Sequence, residues 1–200
     1  MKTRMPSLEE VLGTLVEIDD NKVPVVECEL MKAEDLLNKS IHMKIVEPIA
    51  FPVDLLYGEY RNLCRMYTAS PDYVARPYAM IKDRAGSYIG YLVEKIGGKD
   101  LDRLRRKLLA PRDAADIRKN VLTGLAQINA QGIGHGDLDR SNIVAYRNRE
   151  GALNIKLIDP APSFNKTDDA RNIKRDSVWL SDFSNDYWED KDLRFASVKR

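Results

Sequence analysis

Short alternations of apolar and polar residues fill the first half of the chain, and one longer segment interrupts them. Alternation over roughly four to eight residues predicts half-buried strands. Between Val53 and Tyr67, by contrast, apolar side chains recur at positions 56, 60, 63 and 67, which is the spacing of one helix face. The strands predicted in this half are Leu12–Ile18, Val23–Leu30, Ile41–Val46, Arg76–Lys82 and Tyr88–Glu94.

The second half is mainly helical in pattern and begins after a break at Gly97-Gly98. The predicted elements are helices at Leu101–Leu109 and Ala114–Ala130, strands at Asn142–Ala145 and Ile155–Ile158, and a helical patch near Asp176–Phe183. A strand-rich part, a glycine joint and a helical part together predict an α+β fold. That order favours two lobes with a site between them.

Composition excludes several classes of function. The chain has 200 residues, of which 32% are charged, and a formal net charge of +1. We therefore expect no nucleic acid and no membrane as its main partner. Cys28 and Cys64 lack the spacing of a zinc site, and two thiols fit a reducing compartment. The sequence contains no run of eighteen apolar residues, and residues 1–10 lack the apolar stretch of a signal peptide.

The residues most suggestive of chemistry run from His135 to Asn142 and read His-Gly-Asp-Leu-Asp-Arg-Ser-Asn, with a hydrophobic run ending at Asp159 further on. Phosphoryl transfer requires an oriented hydroxyl, Mg²⁺ on the phosphates and positive charge on the phosphate oxygens. Asp137 can steer the hydroxyl proton, and Asn142 and Asp159 offer the oxygen ligands that suit Mg²⁺. The alternative is a loop in which Asp137 and Asn142 only cap turns.

This arrangement resembles the catalytic loop and metal-binding motif of the protein-kinase-like superfamily. The resemblance implies ATP and Mg²⁺ as cofactors and a two-lobed protein-kinase-like fold. Residues 1–94 would be a small antiparallel-sheet N-lobe with one helix, and residues 95–200 the hinge and a truncated, mainly helical C-lobe. It also implies that Lys44 grips the phosphates from a strand and that Glu59 on the first helix pairs with it. Lys32 and Glu47 are the competing candidates.

The run from Tyr91 to Gly98 looks like the kinase hinge, which implies that backbone groups of Glu94 and Ile96 hydrogen-bond adenine. Asp176 resembles the buried kinase aspartate that anchors the catalytic loop; the alternative is a helix N-cap. The counterpart of His135 in this superfamily is structural, so we do not expect a general base there. His42 is interpreted as a surface residue of its strand.

Several positions depart from the kinase pattern. No G-x-G-x-x-G precedes Lys44, so Asp19–Lys22 is the candidate cover for the phosphates. Pro160 follows Asp159 where Phe-Gly is usual, and proline fixes φ and removes an N–H, so the usual mobile switch is not expected. Asp139 stands where many kinases place a lysine against the γ-phosphate, and Arg140 is the candidate substitute.

The means of regulation also differ from the kinase pattern. Gly136 replaces the arginine that reads a phosphorylated activation segment, and only residues 160–175 separate Asp159 from Asp176. Both features favour a constitutively formed site.

The substrate class is inferred from what the chain lacks. Small-molecule phosphotransferases share the His-Gly-Asp form but normally have an extra acidic helical region, so we favour a protein kinase with a Ser/Thr acceptor. A small-molecule kinase and a nucleotide-binding pseudokinase remain alternatives.

The whole is most similar to bacterial type III effectors of the HopBF kinase group. That resemblance implies a monomeric toxin, secreted by a signal-peptide-independent route into the host cytoplasm. It also implies that the toxin phosphorylates the ninety-kilodalton heat-shock chaperone. Without secretion, a cytoplasmic location is expected.

Overall fold

The structure is a computed structural model that describes residues 16–18, 23–27, 41–45, 53–82, 88–104, 110–148 and 150–185. The strands are β1 (Val16–Ile18), β2 (Val23–Glu27), β3 (Ile41–Ile45), β4 (Pro77–Lys82), β5 (Tyr88–Glu94), β6 (Lys99–Asp100), β7 (Ile143–Arg147) and β8 (Leu153–Leu157). The helices are α1 (Val53–Ala69), α2 (Pro111–Ala130) and α3 (Lys166–Asn185). The predicted α+β class is confirmed.

The first sheet has the strand order β1-β2-β4-β5-β3. Its neighbours are antiparallel except for β2 and β4, which run parallel, so the predicted purely antiparallel sheet is wrong at that pair. The β1–β2 hairpin joins β4 and stands at the edge opposite β3. The predicted cover at Asp19–Lys22 lies outside the described residues, and the strands on either side of it lie far from the strand that carries Lys44.

Helix α1 packs on β4 and β5 of this sheet. Leu56, Tyr60, Leu63 and Met66 recur at helical spacing and are fully or almost fully buried, which confirms the helix that this spacing predicted. The predicted position 67 is only partly buried, and Met66 takes its place in the core. The apolar face of α1 therefore fixes which of its polar residues point toward the sheet.

The second sheet, β6-β7-β8, is antiparallel and packs on α2. Pro111 occupies the first turn of α2, where its missing N–H is no loss, so the helix begins three residues before the predicted start. Gly132, with φ of +68°, follows the helix end in a left-handed conformation. The four apolar positions of α2 that the pattern placed on one face are buried: Ile117, Val121, Leu125 and Ile128.

The predicted helix at Leu101–Leu109 is wrong over its described part. Residues 101–104 form a turn, because the Asp100 carboxylate accepts a hydrogen bond from the Arg103 backbone N–H at 2.8 Å. The Leu101 N–H also donates to the carbonyls of Arg140 and Ile143, beside β6. Residues 105–109 lie outside the described residues.

Helix α3 starts ten residues earlier than the predicted patch at Asp176. The Asn165 side chain accepts the N–H groups of Thr167 and Asp168, which is the role of an N-cap. Asp176 therefore lies in the middle of the helix, and its interpretation as a cap is wrong. Within the part of the chain that the structure describes, no helix combines the length and apolar content needed to cross a membrane.

The two sheets meet beside the end of α1. Val74 bridges in parallel to Leu157, and the backbones of Tyr73, Ala75 and Leu157 exchange hydrogen bonds. Buried side chains from both sheets and from all three helices belong to one continuous core. This junction fixes the position of the segment after β8 relative to α1 and β3.

Candidate active site

A cleft of about 390 Å³ opens between β3 and the segment that follows β5. Four predicted site residues line it: Lys44, Glu94, Ile96 and Asp159. Most residues of the run from Tyr91 to Gly98, which the sequence predicts as the hinge, line this cleft. His42, two positions before Lys44, is an exposed residue of β3, as predicted, and it lines the cleft as well.

Lys44 and Glu59 form an ion pair beside the cleft, with Nζ 2.5 Å from Oε1. The same ammonium lies 3.1 Å from Oδ1 of Asp159. Burial by itself would lower the pKa of Lys44, but the charges of Glu59 and Asp159 outweigh it and raise that pKa above its ordinary value. Lys44 is therefore a fixed cation held between two carboxylates, while the competing candidates Lys32 and Glu47 lie outside the described residues.

The position of Glu59 follows from the apolar face of α1. Glu59 lies three residues after Leu56 and four before Leu63, so all three share the face that packs on the sheet. Glu59 is only 5% exposed, which makes it a buried acid that requires a partner. Lys44, fifteen residues earlier in the chain, supplies that partner.

The loop between α2 and β7 carries Asp137 and Asn142. The Asn142 amide nitrogen donates to the Asp137 carbonyl at 2.8 Å and approaches the Asp137 carboxylate at 3.4 Å. The Asn142 carbonyl accepts the Ile158 N–H, which brings Asn142 close in the chain fold to Asp159. Asp139 instead accepts from the backbone and hydroxyl of Ser141, so it is Asp139 that caps this turn.

Asp176 holds this loop from beneath. Its two carboxylate oxygens accept the backbone N–H groups of His135 at 2.7 Å and Gly136 at 2.8 Å, and the residue is fully buried. The anchoring role predicted from the kinase resemblance is confirmed. Burial raises the pKa of Asp176 to about 6, although the two N–H groups lower it in part.

His135 is fully buried under the end of β8. Its Nε2 lies 2.9 Å from the Ile158 carbonyl, so Nε2 carries a proton, while Nδ1 is 3.4 Å from the Asp137 N–H. Burial lowers its pKa to about 4. A neutral ring in this position supports the backbone on both sides of the site, as predicted, and has no access to a substrate hydroxyl.

His135 should make stability depend on pH. Its folded-state pKa of about 4 lies below the ordinary 6.5. Between pH 6.5 and pH 4, therefore, the unfolded chain binds a proton at this histidine and the folded chain does not. We expect the free energy of unfolding to fall, relative to His135→Gln, by on the order of 3 kcal/mol from pH 7 to pH 4. Urea unfolding at several pH values measures this difference.

Comparison of the wild type with His135→Gln also separates the effect of His135 on stability from that of Asp176. The raised pKa of Asp176 acts in the opposite sense, because the folded chain binds that proton first and gains stability as the pH falls through about 6. His42→Gln is the control, because His42 is the only other histidine of the sequence and its side chain is exposed. This variant should keep the wild-type slope of the unfolding free energy against pH. Equal slopes for wild type and His135→Gln would contradict the neutral, buried histidine.

Asp159 has an unusual backbone conformation. Its φ is +51°, in the left-handed region that non-glycine residues seldom adopt, and it precedes Pro160, which restricts it further. Such a conformation persists only where the surroundings impose it, and it occurs preferentially at functional sites. Here it directs the carboxylate back toward Lys44.

The segment after Asp159 is fastened to α1. The amide nitrogen of fully buried Asn62 donates to the carbonyls of Gly134 at 3.0 Å and Ala161 at 2.9 Å. Arg65 donates to both carboxylate oxygens of Asp169, and Ser163 donates to one of them. Burial alone would raise the pKa of Asp169, but these donors lower it. A segment tied in this way supports the prediction of a constitutively formed site.

Gly136 has a steric reason to be glycine. Its φ is +77°, and a Cβ there would lie 2.3 Å from Cγ of Asn172 on α3. The close approach that lets Asp176 reach the backbone of residues 135 and 136 therefore leaves no room for the arginine of the kinase pattern.

Comparison with models of known protein families gives no match to this chain, and no curated protein matches it. The assignment of a function therefore depends on the geometry of the cleft.

The residues present fit a hard divalent cation. Asp159 offers a carboxylate that is 41% exposed, and the nitrogen of Asn142 is engaged with Asp137, so its Oδ1 is the atom that can bind metal. Mg²⁺ takes one or two such protein oxygens and completes its shell with phosphates and water. The predicted ligand pair therefore has the right chemistry and lies at neighbouring strand ends.

Two polar residues of the site escaped the sequence analysis. Asn62 joins the loop to the segment after Asp159, and Tyr91 reaches both Glu59 and Asp159 through its hydroxyl. Asn62 lies three residues after Glu59 and four before Met66, both buried residues of α1, so a polar residue at this inward position was the signal in the sequence. Tyr91 gave no such signal, because its contacts depend on strand register.

Proposed function

We propose that this chain is an ATP- and Mg²⁺-dependent protein kinase with a small two-lobed, kinase-like fold. The observation that carries the proposal is the meeting of Lys44, Glu59 and Asp159 at one end of a cleft whose other end is the segment Glu94–Ile96. Positive charge and a metal-binding carboxylate at one end, with a chain segment that lines the other, suit the phosphates and the base of a nucleotide.

The chemistry assigns a separate role to each group. The acceptor oxygen attacks the γ-phosphorus, the bond from that phosphorus to the bridging oxygen of ADP breaks, and the hydroxyl proton passes toward Asp137. Lys44 holds the phosphate oxygens by its charge, and Glu59 orients Lys44. Asp159 and Asn142 would hold Mg²⁺, which when bound neutralises charge on the phosphates.

The loop bearing Asp137 is rigid enough for this role. Asp176 and Asn142 fix the backbone on both sides of Asp137, whose side chain remains exposed. An exposed carboxylate on a fixed loop can receive a hydroxyl from a partner molecule. This supports a macromolecular acceptor that brings its own surface. We propose a Ser/Thr protein substrate, and the host heat-shock chaperone is the first to be tested.

The proposal is tested by transfer of labelled γ-phosphate from ATP with Mg²⁺ to the purified chaperone and to proteins of a eukaryotic lysate. Lys44→Met, which keeps the length of the side chain and removes its charge, should lower transfer at least about a hundredfold, since it removes a charge-assisted contact to the phosphates. Lys119→Met, on the exposed surface of α2, should transfer as the wild type does.

The outcomes separate the candidate functions. One or a few labelled proteins that disappear in Lys44→Met would support a protein kinase. ATP turnover stimulated only by small hydroxyl compounds would replace it with a small-molecule phosphotransferase. ATP binding without turnover would leave a pseudokinase, and absence of ATP binding would refute all three.

A further inference from the structure

Tyr91 lies in the middle of β5, directly opposite Lys44 in the register of β3 and β5. Cross-strand partners point to the same face of a sheet, so the two side chains emerge side by side. The Tyr91 ring is fully buried and packs against Tyr60 with 5.4 Å between centroids. Lys44 Nζ lies 5.6 Å from the Tyr91 centroid. The ring, which is one of those that line the cleft, thus holds its hydroxyl at a fixed point.

That hydroxyl reaches both carboxylates of the site. It is 2.5 Å from Oε1 of Glu59 and 3.2 Å from Oδ1 of Asp159. A phenol has one proton, so the shorter distance makes Glu59 the main acceptor.

Tyr91 and Lys44 therefore contact the same two oxygens from two directions. In the proposed reaction Lys44 must also contact the phosphates, and a buried Glu59 that loses part of its partner would be left poorly satisfied. The hydroxyl of Tyr91 contacts Glu59 and Asp159, which both stay in the protein during that step, so the hydroxyl does not have to move. It can keep Glu59 in place while the ammonium is shared with the nucleotide.

We propose that Tyr91 is a positioning residue for phosphoryl transfer, whose hydroxyl keeps Glu59 and Asp159 aligned with Lys44. This inference rests on the proposed function. It assigns to the chain a buried donor that links the phosphate-binding pair to the metal-binding carboxylate. Such a donor suits a site whose loop and following segment are held to α1 and α3 by hydrogen bonds.

The experiment removes the hydroxyl and keeps the ring. Tyr91→Phe should lower kcat for Mg²⁺-ATP-dependent transfer about tenfold, as expected for the loss of one hydrogen bond to a charged group. KM for ATP should change less than about threefold, because the hydroxyl donates to Glu59 and the variant keeps the Lys44 cation. Rates are measured at a temperature where denaturation curves show the variant fully folded.

Tyr60→Phe is the matched control. Tyr60 belongs to the same pair of packed rings and is equally buried, but its hydroxyl lies beside Cys64 and has no carboxylate partner among the described residues. We expect its kcat to equal that of the wild type. A loss as large as that of Tyr91→Phe would mean that the ring pair acts only through packing, and would overturn the inference.

A double-mutant cycle gives a second readout that a purely structural role would not move. In a Glu59→Met background, Tyr91→Phe should lower kcat less than about twofold further, because its main acceptor has already been removed. Multiplicative losses, or wild-type kcat in Tyr91→Phe, would overturn the inference while leaving the kinase function intact. Absence of transfer by the wild-type chain would overturn the proposed function and this inference together.

Discussion

Replacing Asp159 with asparagine should lower Mg²⁺-dependent phosphoryl transfer by at least about a thousandfold, because it removes the charge of the carboxylate that we propose binds Mg²⁺ and that lies 3.1 Å from Lys44. Asparagine is a better substitute than alanine here. It keeps the shape of the side chain and tolerates the φ of +51° that this position requires. The fold should therefore survive, and thermal unfolding should show a midpoint close to that of the wild type.

The control for Asp159 is Asp116→Asn on α2. Asp116 is 42% exposed, against 41% for Asp159, and likewise lies near a cation, with 4.0 Å to Nε of Arg112. The same chemical change at equal exposure should leave transfer unchanged. Transfer is measured with labelled ATP over a range of Mg²⁺ concentrations. Retained transfer by Asp159→Asn at any of these concentrations would remove Asp159 from the set of metal ligands.

Replacing Asp137 with asparagine should lower kcat by about a hundred- to ten-thousandfold, the usual contribution of a group that handles a proton in the transition state. ATP affinity should stay within about threefold, since Asp137 is exposed and the cleft is lined by other residues. Steady-state kinetics give kcat, and calorimetry with Mg²⁺-ATP gives the dissociation constant.

Asp139→Asn is the control within the same loop. Its carboxylate accepts from Ser141, and an asparagine oxygen can accept the same hydrogen bonds. We expect normal transfer from this variant. Equal losses in Asp137→Asn and Asp139→Asn would show that the loop needs its overall charge and would argue against Asp137 as the group that receives the hydroxyl proton.

Periodic patterns along the chain predicted most of the elements that position the site. The apolar faces of α1 and α2 and the strands β3, β5 and β8 lie where alternation or helical spacing indicated, because in these segments the local period and the buried face agree. The sequence also predicted the candidate site residues between His135 and Asp159, since they are close in sequence and fall at the ends of adjoining strands.

The elements that were predicted wrongly lie where contacts between residues distant in sequence override a local pattern. Residues 101–104 have the composition of a helix, but the cap from Asp100 and the pairing of β6 with β7 produce a turn. For α3 the sequence predicts only a helical patch near Asp176–Phe183, because the polar first turns of this helix show no apolar face. Only its contact with the backbone of His135 and Gly136 distinguishes Asp176 from a cap.

By itself, then, the sequence determined the α+β class, the main helices and strands, and the identity of Lys44, Glu59, Asp137, Asn142 and Asp159 as candidates. Only the tertiary structure decided that Lys44 lies between two carboxylates and that Tyr91 reaches both of them. It also decided that the first hairpin joins β4 rather than β3. Such facts depend on strand register and on the packing of segments far apart in the chain, and a one-dimensional pattern of polar and apolar residues does not specify either.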